Sequence, residues 1–365
     1  MPTTQTSISK PLSAPNFQIT PRLLALNADI VRLPLIRRDQ LRLRHPNIGE
    51  RSFYQLLHNL ISNGFAYCPK AQNKHRRSVA GSLPAAITPT ILGVRLHRAF
   101  FSDPVPDPTH DDATDPRTWN YMRHEANTST ASLDYQASAA TVPHLQFFDQ
   151  PQMWGLFAPN TRLNTPVFDM ENCARYMAHD FIADHQSFNL KQGKYKPLRL
   201  SSKLDWPMIN PSDDELRTEE HTFSTHPDGY FGQAYKTQQN FFFESDEGSE
   251  TIVPGHDKRH SAAFFNGTSL LHKCLAYTAA YQNFHHTRRF GITSFKVIFE
   301  TTTSQRARSM QEHLASILLK LPEPIHDNFI LITDRVALAA CDNNRYHPRH
   351  YYKNLRGKDV HLLDF

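Results

Sequence analysis

The sequence predicts an α/β protein in two parts, and three observations carry that prediction. The chain has 365 residues, room for two cores at roughly 100–200 residues per domain. Its net charge of +5 is unevenly spread. Residues 1–100 hold 14 Lys and Arg against Asp29, Asp39 and Glu50, while the other 265 residues are mildly acidic. From about residue 170, apolar positions alternate between helical and strand periods in the order α-β-β-β-α-β-α-β. That order predicts a three-layer α/β domain around a mixed sheet.

Several classes fall away on composition. No apolar run approaches the ~20 residues of a membrane span, and the polar start MPTTQTSISK lacks a signal-peptide core. Cys68, Cys173, Cys274 and Cys341 lie far apart, so neither a disulfide framework nor a structural zinc site is expected. A reducing cytoplasm is the expected compartment.

The basic module follows a flexible stretch, 1–17. In 19–31, Ile19, Leu23, Leu26 and Ile30 recur at helical spacing behind an N-cap Thr20 and Pro21 at N1. A short second helix is expected over 37–44. After Pro46 and Gly49, a third begins at Glu50, with Phe53, Leu56, Leu57, Leu60 and Ile61 as its apolar stripe and Gly64 as its stop. Its opposite face offers Arg51, Ser52, Gln55, His58 and Asn59, groups suited to phosphates and base edges. Beyond Phe65-Ala66-Tyr67 comes a basic loop, 70–77, with Lys74, Arg76 and Arg77, and an apolar return through Ile87. Three helices and a basic hairpin match the layout of a winged helix-turn-helix over 18–101 that binds double-stranded DNA. A small protein–protein module with a solvated basic face is the other reading of the same pattern.

Residues 102–142 are rich in Pro and Asp and then lack an apolar stripe, so a linker is expected. The aromatic stretch 143–170 suggests irregular structure or short strands. Helical spacing returns over 170–188 in Cys173, Tyr176, Met177 and Phe181. Strands are expected within 196–209, 222–235, 239–246, 292–301 and 329–333, with helices over 268–285 and 304–319. Residues 341–365 read as a basic tail.

One constellation carries chemistry. Asp228 follows Pro227 at one strand, and Glu244-Ser245-Asp246 ends the next. Residues at i and i+2 share a strand face, so Glu244 and Asp246 would sit side by side. A hairpin turning at 235–239 would bring Asp228 to the same sheet end. Three such carboxylates repel without a cation, and hard oxygen donors suit Mg²⁺ or Mn²⁺. The next helix carries Lys273 and Tyr277 at i, i+4, with Lys273 able to face a scissile phosphate. Taken singly, each of these residues reads as ordinary surface charge or an amphipathic helix position. The chain's 21 His show no closed metal-ligand set, and GxSxG, P-loop and HExxH motifs are absent.

The segments PDGYF, NFFFESDEGSE and LLHKCLAY resemble the replication-relaxation family, which includes the MobC-type plasmid relaxases. The same PD, strand and E-x-(D/E/K) pattern is similar to the PD-(D/E)XK restriction-endonuclease-like fold, expected over 143–340. The resemblance implies a metal-dependent DNA endonuclease that nicks one strand at a plasmid or mobile-element origin, alongside other mobilisation or replication proteins. It implies that Asp228, Glu244 and Asp246 bind the metal and that Lys273 and Tyr277 match a Lys-x-x-x-Tyr helix. His179 matches the family's helical His within RYMAHDFIADH. The usual lysine of E-x-K is Asp246 here, which leaves two options. Either Lys273 takes the lysine's place, or the third carboxylate has a different metal role. A non-catalytic DNA-binding accessory on a decayed nuclease fold is the alternative function.

Overall fold

The structure is a computed structural model and describes residues 17–70, 72, 85–101, 105, 108, 119–150, 152–153, 168–178, 198–210, 215–265, 268–323, 325–335 and 352–365. The chain forms two compact units, the first from 1–126 and 162–195 and the second from 127–161 and 196–365. It is mixed α/β with a mixed multi-stranded sheet, as the alternating periods predict.

In the first unit, α1 (Pro21–Arg32) starts as its cap predicts, with the Thr20 hydroxyl accepting from Leu23 N at 3.2 Å. Leu23, Leu24, Leu26 and Ile30 are fully buried. α2 (Arg38–Arg44) and α3 (Glu50–Ser62) follow, then α4 (Ile91–Phe100). Three short strands, β1 (Ile36–Arg37), β2 (Ala66–Tyr67) and β3 (Ala86–Pro89), pair in the order β1-β3-β2. Gly64 closes α3 with φ +77°, a left-handed stop that suits glycine. Gly93 has a different reason: a Cβ there would lie 2.1 Å from the Phe65 carbonyl oxygen, so only glycine lets α4 lie against that backbone. Asn27 Nδ2 donates to Gly93 O at 2.9 Å across the contact.

The turn between α2 and α3 is anchored by a buried carboxylate. Asp29 accepts from Arg44 Nε and Nη2 at 2.7 and 3.0 Å and contacts His45 Nε2 at 3.0 Å. Burial pushes the Asp29 carboxyl up, but His45 and Arg44 outweigh it and hold it below the ordinary range.

The second unit contains one large sheet in the order β12-β11-β10-β9-β8-β7-β4. Its members are β4 (Gln146–Phe148), β7 (Gly229–Ala234), β8 (Gln238–Ser245), β9 (Lys296–Thr301), β10 (Ile330–Asp334), β11 (Tyr352–Asn354) and β12 (Asp359–Val360). The β8–β9 and β9–β10 pairs are parallel and the others antiparallel. Parallel neighbours need crossovers, supplied by α6 (Leu270–Gln282) with the short α7 (His285–Phe290), and by α8 (Ser304–Leu318).

Successive residues of β8 show the layering. Phe243 packs against Tyr135 of α5 (Trp119–Ala139), with ring centroids 6.2 Å apart. Phe242 instead stacks on Tyr277 of α6 at 5.8 Å. Helix α6 also packs on a separate two-stranded ribbon, β5 (Leu200–Ile209) with β6 (Leu216–Thr225).

Four expectations need correction. Residues 119–139 are a helix where a linker was expected, because its buried residues interleave Met122, Ala131, Leu133 and Tyr135 with Ser129, Thr130 and Ser138 and so mark no clean apolar stripe. The expected single strand over 222–235 is two strands, β6 and β7, broken at His226-Pro227-Asp228, where proline removes a ladder donor. Of the expected basic tail over 341–365, residues 352–365 are described, and they join the sheet edge as β11 and β12, with Tyr352 and Leu362 fully buried. The helix expected over 170–188 appears as a 3₁₀ turn at Cys173–Arg175; beyond residue 178 it lies outside the described residues. No helix among the described residues is long and apolar enough to cross a membrane.

Candidate functional site

Strand register brings the first carboxylates together. The β7–β8 pairing begins with Gly229 opposite Phe243, and Asp228, in the bend just before β7, stands close enough for its charge to act on Glu244. Asp228 Oδ2 accepts from Ser245 N at 2.7 Å, which pins its carboxylate at the strand end. Glu244 is 1% exposed. It accepts from Lys273 Nζ at 2.9 Å and from the Tyr277 hydroxyl at 2.5 Å, two groups presented by successive turns of α6. Lys273 also pairs with Glu250 at 3.2 Å, and Glu250 Oε2 is buried without a hydrogen-bond partner.

The electrostatics follow from this crowding. Burial pushes the Glu244 carboxyl up to about 7; the Asp228 charge adds to the rise, and Lys273 and Tyr277 oppose it. Burial alone would lower Lys273, but Glu244, Asp228 and Glu250 outweigh it and hold the ammonium well above its ordinary value. Burial and then Glu244 raise the Tyr277 phenol well above its usual range. Tyr277 is fully buried, and its hydroxyl is engaged by Glu244. One ammonium among three carboxylates leaves the pocket with excess negative charge, which favours a proton on Glu244 or a further cation.

Asp246 turns elsewhere. Its carboxylate accepts from Thr301 Oγ1 at 2.6 Å, from Arg306 Nη2 at 2.9 Å, from Arg306 Nε and from Gly248 N at 3.1 Å. Burial raises this carboxyl, yet Arg306 and Thr301 together hold it below the ordinary range. The geometry therefore gathers Asp228, Glu244, Lys273 and Tyr277, and gives Asp246 to a neighbouring ion pair.

On the opposite sheet face, Arg335 Nε donates to Glu300 at 2.7 Å, and its Nη2 donates to Ser245 Oγ and Glu247, each at 2.7 Å. Both clusters lie outside the carboxyl ends of β8, β9 and β10, where open α/β sheets commonly bind ligands. The sequence reading missed Arg306, Arg335 and Glu250. A weak signal existed for Arg306: it sits in the first turn of α8, where a cation opposes the helix dipole unless an anion holds it.

In the first unit, Arg51, Ser52 and Gln55 are exposed on α3 as expected, and half-buried Asn59 accepts from Gln55 Nε2 at 3.1 Å. Exposed Tyr54 joins that face, with the Arg38 guanidinium 5.9 Å from its ring centre. Lys74, Arg76, Arg77 and His179 lie outside the described residues.

Metal fit rests on the donor set. No group of three or more His, Cys, Asp or Glu among the described residues is arranged to hold a metal. Mg²⁺ is ordinarily held by one or two carboxylates, with waters and substrate phosphates completing its shell. Asp228 and Glu244 meet that smaller demand, and a carboxylate has lone pairs to spare after accepting two hydrogen bonds. In comparisons with known proteins, no family model, curated protein or solved structure matches the chain.

Proposed function

We propose that the chain is a DNA-processing protein that nicks one strand of duplex DNA with the help of Mg²⁺ or Mn²⁺. In this reading the first unit is a winged helix-turn-helix, with α3 as its reading helix. The second unit is a PD-(D/E)XK nuclease fold of the replication-relaxation type, similar to the MobC-type relaxases. The observation that carries it is the meeting of Asp228 and Glu244 at one strand end, with Lys273 reaching Glu244 from the following helix. A bound Mg²⁺ would polarise the scissile phosphate and lower the pKa of an attacking water. Asp228 and Glu244 would hold it, Lys273 would face the charge that develops on the phosphoryl oxygens, and Tyr277 would fix the Glu244 rotamer. An origin of transfer or replication as the target, with other mobilisation proteins as partners, rests on the family resemblance, and a cytoplasmic location on cysteine usage.

The test is conversion of supercoiled to open-circular plasmid, using DNA that includes the region flanking the protein's own coding sequence. Nicking with Mg²⁺ and its loss in EDTA or in Asp228→Asn supports the reading. Equal nicking in EDTA ends it. A second reading, a non-catalytic DNA-binding accessory, is favoured by the Asp246–Arg306 pair, which occupies the third expected metal ligand. It predicts DNA binding without nicking under any divalent ion.

A further inference from the structure

The far end of α6 carries different chemistry. Phe284, between α6 and α7, has φ 53° and ψ 29°, a left-handed conformation that bulky residues adopt only under constraint. Its side chain is nevertheless 66% exposed. A constrained backbone position thus carries a largely exposed aromatic ring. Beside it His286 is buried, its ring stacked on Tyr281 at 5.2 Å and 4° and inclined to Phe284 at 6.5 Å and 29°. The His286 ring nitrogens lie 3.3 Å from the carbonyl oxygens of Ala280 and Thr293, which fixes this aromatic ledge.

A cavity of about 220 Å³ opens at these rings. It shares Gln282 and Glu323 with a groove of about 610 Å³ walled by Lys203, Asn283 and Arg288. Together they lie in the size range of small-molecule sites. Lys203 is already paired with Glu220 at 2.6 Å. Exposed Arg288 spends one contact on the Asn283 carbonyl, which leaves most of its five donors for a ligand.

We propose that this groove binds an unpaired nucleobase together with its phosphate, the base stacked on Phe284 and the phosphate on Arg288. Every base has a π face, so an aromatic ledge of this kind is tolerant of sequence. Asp205, Glu220 and Glu323 line the same groove and make a poor track for a continuous phosphate backbone, which favours one nucleotide seated base-first, with its phosphate held at Arg288, over a duplex lying across the groove. The site goes beyond the nicking reading: Lys273 lies toward the other end of α6, and the groove binds whether or not the carboxylates cleave.

The experiment uses the full chain with a short oligothymidylate carrying one 5-iododeoxyuridine, irradiated and mapped by mass spectrometry, beside fluorescence anisotropy of the same labelled strand. The expected result is a cross-link within residues 281–290. Phe284→Gly should keep the fold, since glycine accepts the left-handed backbone, yet lose that cross-link and weaken binding roughly 10-fold. Phe284→Trp should retain both. Displacement of the cross-link by thymidine monophosphate would name a free nucleotide as the source, and persistence against it a DNA strand. A Phe284→Gly protein with unchanged affinity and cross-linking overturns the proposal, as does cross-linking confined to residues 17–101.

Discussion

Lys273 Nζ lies 2.9 Å from Glu244 Oε2 and 3.2 Å from Glu250 Oε1, so one ammonium from α6 bridges the end of β8 to the loop that leaves it. The aliphatic stem of Lys273 crosses the helix–sheet boundary while its charge stays among the carboxylates. Removing it should therefore act on rate and on charge together. Lys273→Ala should lower nicking by ~10²–10³ with DNA affinity nearly unchanged. Lys273→Arg should rescue poorly, because a planar fork does not replace a compact ammonium. Wild-type nicking by Lys273→Ala would remove the residue from the mechanism.

Glu244 gives the second unit a distinctive pH response. Its folded-state value, about 7, lies above the ordinary 4.5. The folded protein therefore holds a proton that the unfolded chain has released. This contribution to stability is fully present below 4.5 and is lost as pH rises through about 7. Urea denaturation across that window should show the decline, and Glu244→Gln, neutral at every pH, should flatten it. An unchanged slope in the variant would place the titration elsewhere.

The Asp246–Arg306 pair should matter for stability more than its position near the surface suggests. The Asp246 side chain is fully buried and the Arg306 side chain is 19% exposed. Arg306→Ala leaves a buried carboxylate with Thr301 and Gly248 as its remaining donors, and removing one partner of a buried pair costs about 3 kcal/mol or more. The double variant Asp246→Asn/Arg306→Ala should recover part of that loss. Chemical denaturation of the set measures the coupling, and additive losses would show that the two side chains act independently.

In the first unit, affinity and sequence preference should separate. Binding to duplex DNA should fall steeply with salt through counterion release. Arg51→Ala should weaken all sequences alike and shallow the salt slope. Gln55→Ala or Asn59→Ala should instead erode preference for the cognate site. Anisotropy titrations at several salt concentrations distinguish the two effects, and a salt-independent affinity would argue against phosphate contacts.

Much of this was legible because local chemistry and tertiary packing agree. Thr20 and Pro21 mark the start of α1, and the stripe from Phe53 to Ile61 marks α3. The unbroken aromatic run Phe241-Phe242-Phe243 of β8 reveals a strand buried on both faces. The convergence of Asp228 with Glu244 follows from hairpin register, which sequence spacing encodes directly. What stayed hidden depends on long-range partners. Helix α5 has no stripe to read, because its buried apolar residues, Met122, Ala131, Leu133 and Tyr135, are interleaved with the buried polar Ser129, Thr130 and Ser138. Asp246 looked equivalent to Glu244 at i+2, but its partner lies 60 residues away in Arg306, and nothing in the local pattern announces that pairing. The basic composition of 341–365 concealed two strands for the same reason.

The hydroxyl of Tyr352 donates to that of Tyr135 at 2.8 Å, a contact between residues 217 positions apart in the chain. Ala131, Tyr135, Phe231, Phe243, Ile298, Leu331, Tyr352 and Leu362 form one apolar cluster. The aromatic face of the large sheet is therefore complete only when α5 and β11 have both arrived. During synthesis, α5 and the β7–β8 hairpin emerge early and keep part of that face open to water until residue 352 and its neighbours leave the ribosome. Closure across so long a loop makes folding of this unit slow relative to its local hairpins. Until that closure, the nascent chain exposes an apolar surface that invites chaperones or aggregation.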